Sequence, residues 1–557
     1  MKLLLLALTC LAIVAAVTSP DTRDREDNKP YDVIVIGSGS SAIAAANKFV
    51  GKHKKVLMLE KAREAGGCTH EFHFNGSIFQ SGYDVHTARS LLWAMLELAP
   101  GQVHYGWPAG YSREKVMIGD PNGPNGIRVY ELPNTQTEYF AWLYEHLNAS
   151  AADKLIRHMI GMSHNQKADF AMPAWDFLPA NVRSVVMAEK AISDATVVEV
   201  GATTPLLSYY ASLTSNEDLW AVLGGDVLVF LGLPIDYVPA SPVLQATGQL
   251  SSGFNFPIEG TAVSARVMIE NIKALGGKVE VRSEVTKVLF DEHNGKVSGV
   301  QLANGTTFSA HNVLSTIGID ALLPLIGNHT LAGYPSNQPP GPYKESGSGF
   351  MSFVTMKITA REAGLHPMII LWSDKGLKGM TMDNLIYPSG IASCQVPLVI
   401  TETTLKTSAF DPNTNPQPVA ALEMLSPFTA WSFAPWFGTL THHRPPEYYG
   451  YKEYLQYAQL ECFYKFFPNL RGQVANIESG TPLTIRDYVA KPFGAFMSNV
   501  GLQQNEKPHY FTGTDGLYFC GADDVGGADK APLTGDMAAA EVVHDVDMAV
   551  DCLNRIV

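Results

Sequence analysis

The stretch Tyr31-Asp-Val-Ile-Val-Ile-Gly37-Ser38-Gly39-Ser-Ser41-Ala42 decides the fold. Its first six residues, rich in β-branched apolar side chains, read as a short strand buried on both faces. Two glycines follow, and Ala42-Ile-Ala-Ala-Ala-Asn-Lys-Phe-Val50 continues as an alanine-rich helix. Lys55-Val-Leu-Met-Leu-Glu60 reads as the next strand. Strand, glycine turn, helix and strand follow one another within about 30 residues, the span of a βαβ unit.

Gly37 through Ala42 fits the G-x-G-x-x-G/A fingerprint of dinucleotide sites. Gly37 makes the tight turn, Gly39 lets a pyrophosphate approach the backbone, and Ala42 permits close helix–strand packing. The phosphates then sit on the helix N-terminus, where unbonded N–H groups and the helix dipole favour anions. Alone the motif is weak, because glycine-rich turns are common. Glu60 strengthens it: an acid ending the second strand, about 20 residues on, accepts hydrogen bonds from ribose hydroxyls.

Past Glu60 and Lys61 come Gly66-Gly67-Cys68 and then Phe79-Gln-Ser-Gly82. The run from Glu60 through Phe72, Glu-Lys-x4-Gly-Gly-Cys-x-His-x-Phe, resembles the FAD-binding N-terminus of the phytoene desaturase, carotenoid isomerase and retinol saturase group. Near the C-terminus, Gly516-Leu-Tyr-Phe-Cys-Gly521-Ala-Asp523 resembles the second FAD motif of that group. Thr481-Pro-Leu-Thr484 and Pro492-x-Gly494 resemble the stretch before it. The resemblance implies FAD as cofactor, held by Gly37, Ser38, Gly39, Ser41, Ala42, Glu60, Lys61, Gly66, Gly67, Cys68, Val285, Gly521 and Asp523. In it the glycine doublet crosses the phosphates and ribityl chain, Val285 meets adenine through its backbone, and Asp523 bonds the ribityl or pyrophosphate region. Two departures stand out. A second acid, Asp524, follows Asp523, and the loop Gly526-Gly-Ala-Asp-Lys530 is unusually polar where the flavin ring is approached. Phe256-Pro-Ile-Glu-Gly260 replaces a more glycine-rich turn, also expected near the flavin.

The expected fold is therefore α/β: a Rossmann-type FAD-binding domain, of the two-dinucleotide-binding-domain flavoprotein kind, with an interleaved α+β substrate domain. A helix over 262–275, strands at 279–282, 285–291, 297–302, 312–316 and 516–521, and a helix over 533–550 complete the nucleotide-binding part. The rest is rich in Trp, Tyr and Pro and reads as a second domain inserted twice. The expected parts are a signal peptide at 1–18, a linker at 19–30, FAD-binding segments at 31–95, 256–324 and 476–557, and substrate-domain segments at 96–255 and 325–475.

Composition agrees with a large globular enzyme and excludes other classes. The chain has 557 residues, 46% hydrophobic and 17% charged, with a net charge of −14. Nucleic-acid binding needs a dense basic surface, and this chain lacks the charge for one. Lys2, the apolar Leu3–Val17 run and the small residues after it read as a secretory signal. Asn-x-Ser/Thr sites at Asn75, Asn148, Asn304 and Asn328 agree with entry into the secretory pathway, secreted or lumenal, as glycosylation acceptors. Of six cysteines, five remain past the signal, an odd number without tight spacing, so a disulfide scaffold is not expected. His70, His73 and His86 cluster in sequence, but no further ligand is spaced to join them, and no metal site is expected.

The function expected from the resemblance is FAD-dependent oxidoreduction or isomerisation at carbon–carbon double bonds of a lipophilic polyene: a polyunsaturated fatty acid, retinoid or carotenoid. A secreted protein similar to the algal polyenoic fatty acid isomerases would return the hydride it takes. A single dinucleotide fingerprint means that reducing power comes from elsewhere or is not needed. An amine or prenylcysteine-type flavin oxidase using oxygen is the alternative, and an FAD-binding protein without turnover a third. Trp431-Ser-Phe-Ala-Pro-Trp436-Phe437 and Leu219–Leu233 are candidate lining for an apolar pocket, with ordinary core packing the plainer reading. Arg486 and Lys491 are weak candidates for binding a head-group carboxylate or the flavin edge, and Tyr488 for donating a proton. Membrane-surface association, a homodimer and covalent attachment of FAD stay open at this level.

Overall fold

The computed structural model describes residues 29–82, 86–87, 103–329, 331, 347–407, 418–489, 494, 510–521 and 531–556. Tyr31–Ile36 forms the central strand of a first sheet, flanked in parallel by Val56–Leu59 and Thr307–Ser315. Lys278–Glu280 extends this sheet beyond Val56–Leu59, and Leu517–Phe519 pairs in parallel with Thr307–Ser315. The long Thr307–Ser315 strand also begins antiparallel to Val297–Leu302, which pairs with Val285–Phe290. Parallel strands are covered on both faces, and here the residues alternate between two cores. Val33, Val35 and Met58 pack with the helices Ser40–Gly51, Thr261–Ala274 and Ala531–Val542, while Ile34, Ile36 and Leu57 pack toward Val288, Val300 and Leu322. That arrangement brings the carboxyl ends of strands from distant parts of the chain to one edge.

A second seven-stranded sheet runs in the order Val474–Gly480, Gly349–Met356, Ala421–Pro427, Leu398–Glu402, Met368–Trp372, Glu114–Gly119, Ile127–Leu132. Its neighbours are antiparallel except Met368–Trp372 with Glu114–Gly119. Period-two alternation sorts its side chains. Ile369 and Leu371 face the core shared with Phe463 and Phe466 of the helix Pro446–Phe466, whereas Met368, Ile370 and Trp372 face the helical layer of residues 136–250. The helix Glu217–Leu231 belongs to that layer: Leu219, Trp220, Val222 and Leu223 are buried in it, and Gly225 lies against the Trp372 indole. These residues are packed core. Trp431, by contrast, is about half exposed at the start of the turn Ala430–Trp436.

Two details differ from the sequence reading. The expected boundaries at 255 and 475 fall inside strands, because Phe254–Pro257 pairs with His86–Thr87 and Tyr105–Gly106, and Val474–Gly480 pairs with Gly349–Met356. The C-terminal helix is two, Ala531–Val542 and Val546–Asn554. His544 takes a positive φ of 53° and the Asp545 side chain accepts the Met548 N–H, which stops one helix and caps the next.

Hydrophobic periodicity does not reveal that a disulfide joins Cys394 and Cys462, 68 residues apart. It ties the helix Pro446–Phe466 to the turn that precedes Leu398–Glu402.

Candidate dinucleotide site

The first strand delivers its glycine turn to the shared carboxyl edge. Gly37 has φ +98°, and a Cβ there would stand 2.6 Å from Thr316 Oγ1 and 2.9 Å from Ile317 Cγ2, so only glycine fits. Its N–H donates to Leu59 O at 2.8 Å. The helix Ser40–Gly51 starts at once, with Gly39 as N-cap and no side chain capping it. Among the described residues, a Cβ built on Gly39 meets nothing within 4 Å. The helix thus opens on clear space with uncapped first-turn N–H groups, the arrangement that receives a phosphate. Ser41 and Ala42 are buried on the other side, where the Ser41 carbonyl lies so close to Gly535 that a Cβ there would be 2.1 Å away. Their part is to seat the C-terminal helix beneath the turn.

Glu60 ends the second strand and is held by three segments. Its N–H donates to Glu280 O, and its carbonyl accepts the Ser283 N–H, each at 2.8 Å. Arg282 N–H reaches Ala62 O at 2.8 Å, so buried Val285 begins its strand beside this acid. Ser38 Oγ donates to Glu60 Oε2 at 2.6 Å and accepts the Gly66 N–H at 3.0 Å, and the Ala62 N–H donates to Glu60 Oε1 at 2.8 Å. One serine thereby couples the turn, Glu60 and the glycine doublet. Lys61 is exposed, its Nζ 3.5 Å from Asp487 O.

The doublet closes over the turn. Gly66 and Gly67 have φ of +135° and +57°. Thr69 donates to Gly66 O at 2.6 Å, and Ser81 Oγ donates to His70 O at 2.7 Å, which fixes the loop around half-buried Cys68. Gly521, with φ +147°, leaves its strand at Thr316 O, 3.4 Å from where its Cβ would be, so Gly37, Thr316 and Gly521 meet at one point. Asp523, Asp524, the 526–530 loop and Lys491 lie outside the described residues.

The weak catalytic candidates fare differently from one another. Arg486 donates to Phe437 O at 2.6 Å, Thr439 O at 3.0 Å and Asp487 Oδ1 at 2.7 Å. Its guanidinium braces the 437–439 loop, which corrects the reading of it as a head-group anchor. Tyr488 is 65% exposed, and a side chain in bulk water does not suit proton donation in a water-excluding site. His73 is exposed on its strand, and among the described residues no three His, Cys, Asp or Glu side chains converge as a metal site. Asn75, Asn148, Asn304 and Asn328 are all exposed.

A polar cluster that the sequence reading missed lies next to the doublet. Gln80 N–H donates to Glu423 Oε1 at 2.5 Å, Thr261 donates to Gln80 Oε1, and Lys406 Nζ stands 4.7 Å from the Phe256 ring centroid. Gln80, Thr261, Lys406, Glu423 and Phe256 are all buried. No spacing rule links segments this far apart, and buried polar residues look like surface ones in a sequence.

Residues 35–97 match the family model of an NAD(P)-binding Rossmann-like domain. The all-trans-retinol 13,14-reductase of Homo sapiens is 26% identical over 524 residues, covering 88% of this chain and 83% of that one. The prolycopene isomerase of Daucus carota is 23% identical over 575 residues, covering 97% and 84%. The chain is a homologue of the retinol 13,14-reductases and prolycopene isomerases. The group read from Glu60–Phe72 is therefore the group these homologues represent. Their similarity extends through the second sheet as well as the nucleotide-binding part. The fold is shared more widely: an oxidoreductase from Methanosarcina mazei superposes with a TM-score of 0.57 at 16% identity, covering 90% of this chain and 98% of that one.

Proposed function

We propose that this protein binds FAD and acts with it, as oxidoreductase or isomerase, on carbon–carbon double bonds of a lipophilic polyene such as a polyunsaturated fatty acid, retinoid or carotenoid. One observation carries the reading. The Gly37–Ala42 turn, Glu60 and the Gly66–Gly67 loop form one bonded cradle, in a chain similar over nearly its whole length to retinol reductases and prolycopene isomerases. The open space at Gly39 fits a pyrophosphate, and the oriented Glu60 fits a ribose. When bound, the flavin supplies hydride transfer at one ring atom. The chain's own residues position the cofactor and exclude water. Gly37 and Gly39 keep the helix N-terminus accessible, Ser38 holds Glu60 in register, and the sheet carrying Phe350 and Trp372 gives the second half a dry apolar body.

The Cys394–Cys462 disulfide and four exposed Asn-x-Ser/Thr sites support passage through the secretory pathway.

The test is anaerobic incubation of the purified yellow protein with polyunsaturated fatty acids and with retinol. New conjugated absorbance without flavin reduction means isomerase, and lasting flavin reduction means dehydrogenase. Bleaching only by amines or thioethers, with peroxide released in air, means an oxidase. A yellow protein inert to every polyene sinks the proposal.

A further inference from the structure

A surface helix turns its apolar stripe to the core and its polar face to water. The 21-residue helix Ala180–Val200 puts large apolar side chains on its outer face. Its buried residues are Val186, Ser193, Thr196 and Val200, with Thr196 against Gly161 and the Ser193 hydroxyl 3.5 Å from Met162 O. Away from them, Val185, Met187 and Ile192 are each about half exposed and Val198 is 80% exposed. These four reach along about 20 Å of one helix, whereas monomers commonly expose large apolar side chains singly.

The outer face has a register. Ser184, Ala188, Ala191, Ala195 and Val198, all exposed, follow one another at alternating steps of four and three residues. That is the seven-residue repeat of a helix that packs along a second helix. Small residues in the seam let the two backbones approach closely. Val185 and Ile192, seven apart, border the seam on one side, and Met187 and Asp194, also seven apart, border it on the other. Such a seam open to water is half of a helix pair.

Charge selects the occupant. Lys190 and Asp194 lie on one flank, on either side of Ala191 in the chain, and pair with each other at 2.7 Å. In an antiparallel pair of identical helices each flank meets its own copy. Lys190 of one protomer then comes against Asp194 of the other, and four charges alternate. A parallel pair would bring Asp194 toward Glu199 of the other copy, acid against acid, and would align the two helix dipoles. Elsewhere on the rim, Glu189 pairs with Lys167 and Glu199 with Arg157, each at 2.7 Å. Balanced pairs on a chain of net charge −14 give an anionic lipid surface no excess positive charge to bind.

We propose that this face is the contact of a homodimer, in which two copies of the helix Ala180–Val200 pack antiparallel about a two-fold axis near Ala191. A two-fold contact uses one patch twice and closes at two copies. Residues equally far from the axis face one another. Ser184 and Val198, seven residues to either side of Ala191, set a small side chain against a large one. The cradle of Gly37–Ala42 and Glu60 has no part in the contact, so the dimer does not depend on what that site binds.

The test is sedimentation of the purified protein over a range of concentrations, as wild type and as Ala191→Arg. Wild type should run as a dimer. Two arginines facing each other at the axis should raise the dimer dissociation constant about tenfold or more. Arginine is a good helix former and Ala191 is exposed, so the fold and the flavin content should not change. Cysteines report the geometry. Ala191→Cys should cross-link to itself under mild oxidation, against a wild-type background from the half-buried Cys68. Ser184→Cys should not, because its two copies stand about 20 Å apart, but a mixture of Ser184→Cys and Val198→Cys should. Wild type that stays monomeric, a dimer unchanged by Ala191→Arg, or Ser184→Cys that cross-links to itself each overturns the proposal. A monomer that floats with phosphatidylcholine vesicles, and ceases to as Ala191→Arg, overturns it in favour of a lipid surface.

Discussion

Gly67 closes onto Gly39: a Cβ on Gly67 would stand 2.8 Å from the Gly39 Cα and 3.4 Å from its nitrogen. The two glycines therefore do different work. Gly67 is closed by protein backbone and Gly39 faces open space. Gly39→Glu should give a folded, colourless protein that melts like flavin-free wild type, because the side chain enters only the phosphate space. Gly67→Ala should lose flavin and lower the melting temperature too, since it adds a left-handed φ cost of about 1–2 kcal/mol and a backbone clash. A yellow Gly39→Glu protein would mean that the phosphates lie elsewhere.

Ser38 bridges Glu60 Oε2 and the Gly66 N–H. Ser38→Ala removes both bonds, each worth about 1 kcal/mol net. Titration of apoprotein with FAD should show a Kd roughly tenfold weaker, and the apoprotein itself should melt lower than wild-type apoprotein. An unchanged Kd would show that the serine has no part in assembling the cradle.

Cys394 and Cys462 are both buried, so a reductant reaches the disulfide only on unfolding. Closing a loop of 68 residues stabilises by about 4 kcal/mol on the chain-entropy account. The double variant Cys394→Ser, Cys462→Ser should melt several degrees lower, and dithiothreitol should shift wild type but not the variant. Equal melting temperatures with and without reductant in wild type would argue that the bond is not formed.

Glu541 is largely enclosed, and burial first, then the neighbouring Asp176 charge, pushes its carboxyl up to about 7. Its folded pKa is raised above the unfolded value near 4.5, so its protonated form stabilises the native state below that value. That contribution is lost as pH rises from about 4.5 through about 7. Glu541→Gln should match wild type at pH 4 and exceed it by roughly 2–3 kcal/mol at pH 8. Denaturation curves at both pH values check this, and a constant difference between them would exclude the titration.

The nucleotide-binding elements were legible because each is specified locally. The β-branched run at Val33–Ile36, the glycines that follow it and the alanine helix after them are consecutive in the chain. The strands at 285–290 and 297–302 stood out for the same reason. Legibility fails where a residue's role depends on a distant partner. Arg486 looked available because its carbonyl partners, Phe437 and Thr439, lie more than forty residues upstream. The Leu219–Leu233 run looked equally suited to pocket or core until Trp372 closed over it.

By itself the sequence determined the dinucleotide turn, its acid and the glycine doublet, because short-range sterics and the helix N-terminus dictate them. Only the tertiary structure decided that Ser38 ties these three together, that Cys394 meets Cys462, and that Gln80 sits at Thr261. Those relations span tens to hundreds of residues. Burial and desolvation give them their energy, and neither exists until the two sheets have packed.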